Sequence, residues 1–310
     1  MAQLSIHLFG KLCVRRNGQV LLGLDAHKLQ ELFCYLLVHR NHAHPRELLA
    51  NLLWGDSPTV QSKRYLRQAL WKLQTALERK AGETNGQLLC VEPDSVDLNS
   101  RNLWLDVAAF EQAYTPVQDV QGRDLDVERA RNLQGAVQLY QGDLLEGWYQ
   151  DWCLYERERL QNIYLAMLDK LMYYCEEHKE FETGIVYGTR ILFFDRASEH
   201  THRQLMRLKY LAGNRTGALR QYESCTVALE EELSVKPAQS TIALYEQIRA
   251  DQLQLRTSVL PLTLVDRQAT IVVLPELLTR LRQVQELIAD IQEVVQVDIQ
   301  AIEVLLRRSH

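Results

Sequence analysis

Two stretches of this chain repeat at an offset of 34 residues. Lys179-x4-Gly184 matches Gly213-x4-Ala218, and Leu171-Met172 matches Leu205-Met206. A period of that length fits one helix-turn-helix hairpin per unit. Such a unit buries its apolar face only against a neighbour, so two detectable copies need flanking helices to cap them. Small residues at 184 and 218 let paired helices approach closely. Apolar positions spaced near 3.6 residues extend the helical reading over roughly 107–114, 126–141, 149–178, 180–194, 198–212, 215–232 and 238–254.

The first hundred residues follow a different rule. Leu4, Ile6 and Leu8 alternate with polar neighbours, and Leu12 and Val14 continue the alternation, which is the period of strands. Asn17-Gly18 sits between two such runs, and both residues tolerate the positive φ of a two-residue hairpin turn. Two or three short antiparallel strands are expected. From Lys28 the period changes: Leu29, Leu32, Phe33, Leu36 and Leu37 share one helical face. His39–His44 interrupts it, and Pro45 is placed to open a second helix, with Leu48, Leu49, Leu52 and Leu53 as the buried face. A turn follows at Trp54–Pro58. A third helix, about Ser62 to Arg79, carries the stripe Leu66, Leu70, Leu73 and Leu77. Leu88–Glu92 and Ser95–Leu98 then read as a hairpin around Pro93-Asp94.

Beyond 256 the pattern changes again. Arg256–Ala269 contains Pro261 and reads as a linker. Leu274, Leu277, Leu281, Val284, Ile288, Ile291, Val295, Ile302 and Leu305 then keep a 3-4 spacing broken only at Asp298. That is a heptad helix, fit for pairing two chains. Leu278, Leu287, Val294 and Leu306 widen the stripe, so packing against the chain's own repeat helices is the alternative reading.

The expected fold class is therefore mainly α with a small α/β head. The boundaries are 1–106 for the head, 107–255 for the helical repeat domain, and 256–310 for linker and heptad helix. Composition narrows the function. The six cysteines, at 13, 34, 90, 153, 175 and 225, form no C-x-x-C, which argues against a zinc ribbon or a redox motif. No P-loop, Rossmann fingerprint, G-x-S-x-G or H-E-x-x-H occurs, so no enzyme, cofactor or metal is expected. His39, His42 and His44 lack a nearby further ligand and are read as a solvated loop. No apolar run is long enough for a membrane helix, and the expected location is the cytoplasm. Tyr173, Tyr174, Tyr187, Phe193 and Phe194 are candidates for an effector pocket, but aromatic residues at helical spacing more often form core.

Charge points to the head. Residues 1–110 carry 13 Lys/Arg and 10 Asp/Glu, a balance of +3, while the remainder stands at −8. On the third helix, the face opposite the leucine stripe carries Lys63, Arg64, Arg67, Gln68, Trp71 and Lys72. Long cations suit phosphates, and Arg or Gln can pair bidentately with guanine or adenine edges in a major groove. An exposed Trp among them calls for a partner surface. Arg46, at the start of the second helix, and Arg101, after the hairpin, are further phosphate candidates.

These features together resemble a known family. Leu48-Leu-Ala-Asn-Leu-Leu-Trp-Gly55, Arg64-Tyr-Leu-Arg-Gln-Ala-Leu-Trp-Lys-Leu73, the hairpin Leu88–Asn99 and Trp104-Leu-Asp-Val-Ala-Ala-Phe110 are similar to the OmpR-type winged helix of SARP (Streptomyces antibiotic regulatory protein) activators. Tyr140-Gln-Gly-Asp-Leu-Leu145, Tyr155-Glu-Arg-Glu-Arg-Leu160, Gly213–Tyr222 and Glu231-Glu-Leu-Ser-Val-Lys-Pro237 resemble the tetratricopeptide-like bacterial transcriptional activator domain that follows it there. The resemblance covers about 4–250. It departs at Gln74, where the family usually has Arg or Lys, and the acidic tip Pro93-Asp94 weakens the expected wing contact. It implies a sequence-specific activator that binds double-stranded DNA as two copies on direct repeats. It also implies that the loop Gly55, Asp56, Ser57, Pro58 and Thr59 faces RNA polymerase. The competing reading is a protein-interaction adaptor whose winged helix binds protein.

Overall fold

The computed structural model describes residues 4–78, 88–99 and 103–252, all within one unit that spans 1–253. Arg101 and the heptad segment from Leu274 to Leu305 lie outside the described residues.

Alternation in the first residues builds β1 (Leu4–His7), which pairs antiparallel with β2 (Cys13–Arg16). β2 turns through Asn17 and Gly18, at φ of 50° and 81°, into β3 (Gln19–Val20). Helix α1 (His27–Val38) buries Leu29, Leu32, Phe33, Leu36 and Leu37, as its period requires. β4 (His44–Pro45) comes next, then α2 (Arg46–Trp54), α3 (Thr59–Glu78), β5 (Leu89–Val91), β6 (Ser95–Leu98) and β7 (Leu103–Leu105). The strands form two sheets, in the orders β3-β2-β1-β7 and β4-β6-β5.

Several details differ from the sequence expectation. Pro45 lies in β4, paired with Ser95, so the helix begins one residue later. Only Leu49 and Leu53 of the expected α2 face are buried; Leu48 and Leu52 are 47% and 39% exposed. α3 starts at Thr59 rather than Ser62, which leaves four residues between the helices. β7 returns parallel to β1, a pairing between residues about a hundred positions apart that no local pattern announces.

From Asp106 the described chain is helical: α4 (Asp106–Tyr114), α5 (Val127–Leu139), α6 (Asp151–Glu177), α7 (Phe181–Phe194), α8 (Glu199–Leu211), α9 (Arg215–Leu233) and α10 (Gln239–Arg249). Successive helices from α5 to α10 pack on one another. The repeat offset has its packing reason. A Cβ at Gly184 would stand 3.0 Å from Leu208 Cδ1 and 3.1 Å from Cys175 Cβ, and Ala218 is fully buried.

Head and helical stack share one apolar core, which runs from Leu4 through Phe110 to Leu208. Backbone pairing crosses between them. Leu145 N–H donates to Leu8 O, Gly10 N–H to Asp143 O and Glu146 N–H to Gly10 O, each at 2.8 Å. The buried Asp106 carboxylate accepts from Leu8 N (2.8 Å), Phe9 N (2.9 Å) and Val107 N (2.7 Å). Arg40, just after α1, and Arg159 on α6 both pair with Glu111 of α4 at 2.5 Å.

Candidate nucleic-acid interface

Helix α3 is long because its leucines recur at 4-3-4 spacing, and Leu66, Leu70, Leu73 and Leu77 are all buried. That burial turns the opposite face outward. Lys63, Arg64, Arg67, Gln68, Trp71 and Lys72 are all exposed, Trp71 by 64%. Among the described residues, Arg64, Arg67, Gln68 and Lys72 have no side-chain partner. Gln74 turns inward instead, its Nε2 3.5 Å from Leu89 O on the hairpin.

The N-terminal end of α3 is held by a side chain that sequence reasoning did not single out. Ser62 is buried, and its hydroxyl donates to Trp54 O at 2.8 Å, with Ser57 O and Pro58 O also within 3.3 Å. This pins the turn between α2 and α3. Gly55, Asp56, Pro58 and Thr59 remain exposed on it and Ser57 is half-buried; Thr59 is the first residue of α3. A serine within an apolar-periodic helix facing the core was the available signal.

The β5–β6 hairpin lies beside α2. Arg46 N–H donates to Asp94 O at 3.0 Å, and its guanidinium to Glu92 O at 3.1 Å. Arg46 is thus engaged with the hairpin tip. Lys63 Nζ stands 2.5 Å from Glu47 Oε1, and this ammonium holds the Glu47 carboxyl below the usual carboxylate range. Between hairpin, α2 and α3 lies a groove of about 590 Å³, lined by Arg46, Glu47, Lys63, Arg67, Pro93 and Asp94 among others.

The other candidates do not converge. His44 is buried, contrary to the solvated-loop expectation. Its Nε2 lies 3.0 Å from His39 O, and its ring stands 4.3 Å from that of His42. Burial lowers the pKa of both His39 and His44. Among the described residues no group of three His, Cys, Asp or Glu side chains is placed to hold a metal ion. Of the aromatic set, Tyr174 is buried, Phe193 is 85% exposed, and Phe194 packs on Tyr164. No described helix is long and apolar enough to cross a membrane.

The winged-helix head, with its outward basic helix, is built into the same core as a stack of paired helices. Residues 105–249 match the family model described as the bacterial transcriptional activator domain. These residues are similar to that family over less than half of the chain. The fold is similar to the solved structure titled "Mycobacterium tuberculosis EmbR in complex with low affinity phosphopeptide". The TM-score is 0.62 at 19% identity, over 82% of this chain and 67% of that one. A comparison with curated protein sequences returned no match.

Proposed function

We propose that this chain binds promoter DNA sequence-specifically through α3 and activates transcription by recruiting RNA polymerase. The head, 1–106, would hold DNA, and 107–255 would be the activator domain. The observation that carries this reading is the α3 face: six polar or aromatic residues exposed together, with Trp71 unburied among cations. An adaptor surface does not require that set. In this reading Arg67, Gln68 and Trp71 meet base edges, and Lys63, Arg64 and Lys72 meet phosphates. Arg46 braces the hairpin against α2, and Arg101 adds a phosphate contact. The exposed turn 55–59 offers the polymerase surface. Two copies bind direct repeats, with the heptad segment 274–305 as a further means of pairing. An effector of the helical domain belongs to the same reading.

The adaptor reading has one observation in its favour: Val186, Phe193 and Val227 of the stack are 51%, 85% and 48% exposed. One experiment separates the two. A randomised duplex pool is selected on the purified chain, and the enriched sequence is titrated against random duplex at several salt concentrations. Enrichment of one site, bound about a thousandfold or more above random DNA, supports the regulator. Arg67→Ala then costs about 1–3 kcal/mol of discrimination. Lys72→Ala weakens all sequences alike and lowers the salt slope by about 0.9. No enriched site and no salt-dependent affinity would reject DNA binding.

A further inference from the structure

The exposed face of α3 is electrostatically divided. Arg64, Gln68 and Lys72 have no partner among the described residues. Lys63 instead stands 2.5 Å from the Glu47 carboxylate, at the start of α2. Glu47, Lys63 and Arg67 line one groove, and Asp94 at the hairpin tip lines it too. Two carboxylates thus sit where the proposed DNA face would meet a polyanion. Phosphate repels them, and a paired Lys63 contributes no net positive charge to a phosphate contact. This arrangement is unfavourable for general DNA affinity. A carboxylate is, however, the acceptor that matches the N4 amino group of cytosine in the major groove.

We propose that Glu47 is a specificity-determining residue that reads a cytosine edge and thereby controls Lys63. On random duplex the Lys63–Glu47 pair stays closed, so the lysine adds nothing to phosphate binding and the carboxylate opposes approach. On the matching site the cytosine amino group replaces Lys63 as the partner of Glu47, and Lys63 turns to the adjacent phosphate. One pair thus weakens non-specific binding and strengthens specific binding. The Glu47 side chain is 76% exposed and packs no core, so its replacement leaves the fold intact.

The inference rests on the DNA-binding reading, and one experiment separates their failures. Wild type, Glu47→Gln, Lys63→Gln, the double variant, and Asp25→Asn as an equal charge change outside the groove are each selected on the randomised duplex pool. Each is then titrated with its selected site and with random duplex across salt concentrations. If wild type enriches no site, the DNA-binding reading itself falls. If it does, Glu47→Gln is expected to lose a cytosine preference at one position. Its random-duplex affinity should rise about two- to fivefold, the scale of an exposed ion pair. Its random-duplex salt slope should steepen by about 0.9, as one more cation meets phosphate. The double variant should not steepen, and Asp25→Asn should behave as wild type. An unchanged selected site in Glu47→Gln would overturn the proposal. Steepening that persists without Lys63, or that appears equally in Asp25→Asn, would overturn it as well.

Discussion

Asp106 shows how one residue can matter more than its local sequence suggests. Its carboxylate is buried and satisfies three backbone N–H groups, two of them nearly a hundred residues earlier. Burial raises its pKa, and the three N–H groups oppose that rise. Asp106→Ala leaves Leu8 and Phe9 N–H buried without an acceptor, at about 1–3 kcal/mol for each orphaned group. A urea midpoint within error of wild type would refute this. Along the chain, Asp106 is legible only as part of the run from Trp104 to Phe110, because the partners it caps are distant. Of the three loop histidines, His44 departs from the solvated reading for the same reason, while His42 is exposed. His44 is buried by β6 and α1, which no spacing within 39–44 reveals. For His39 and His44 burial is the largest cause of the lowered pKa. Glu156 beside His39 and Asp97 beside His44 raise it; Arg159, His42 and His44 lower it for His39, and His42 for His44. A histidine pKa lowered by folding gives stability that is present above its unfolded value of about 6.5 and lost as pH falls through the folded value. The wild-type urea midpoint should therefore drop on acidification below neutrality, and drop less in His44→Gln. Equal pH profiles would remove His44 from the account.

Elements were the most legible scale. Periodicity places the seven described α-helices from Asp106 onward to within about five residues, because each buries a stripe against a neighbour in sequence. The α3 leucines likewise announced which side would face out. What failed was short or distant. Two-residue β4 and parallel β7 carry too little pattern to be read, and the α2 leucines exceed what its neighbours can cover. Close helix approach was anticipated at Gly184 but not at the tighter points. A Cβ at Gly188 would stand 2.7 Å from Leu205 Cδ2 and 2.8 Å from Met172 Sδ. A Cβ at Gly122 would meet α6 backbone, Lys170 O at 2.4 Å and Lys170 Cα at 2.7 Å. Side-chain ends can rotate away, whereas a helix backbone cannot. Gly122→Ala should therefore destabilise more than Gly188→Ala, the latter falling near the about 1–3 kcal/mol of ordinary overpacking. Thermal or urea midpoints of the two variants in the reverse order would contradict this.

Across the whole described molecule, the expected boundary at 106/107 falls after the first residue of α4, inside a continuous core. Leu8 is fully buried, and its carbonyl accepts from Leu145 N–H across that boundary. Arg157 extends the tie by donating to Leu144 O, Leu145 O and Trp148 O at 2.9–3.1 Å. α3 is therefore presented from a body that includes the first helices of the stack. A fragment ending at 106 would expose Leu8 and Phe9, orphan the Gly10 N–H and remove both α4 and Glu111 from Arg40. Buried polar groups left unpaired cost about 1–3 kcal/mol each, comparable with much of a small domain's stability. Unfolding of residues 1–253 should accordingly be one cooperative transition. The fluorescence of Trp54, Trp71 and Trp104 in the head and Trp148 and Trp152 beside it should change at the same urea concentration as the helical circular dichroism. Arg157→Ala should lower both signals' midpoints together. Two separated transitions, or an isolated 1–106 that folds with the midpoint of the longer chain, would show instead that head and stack are independent. The orientation of α3 relative to the stack would then be free rather than built in.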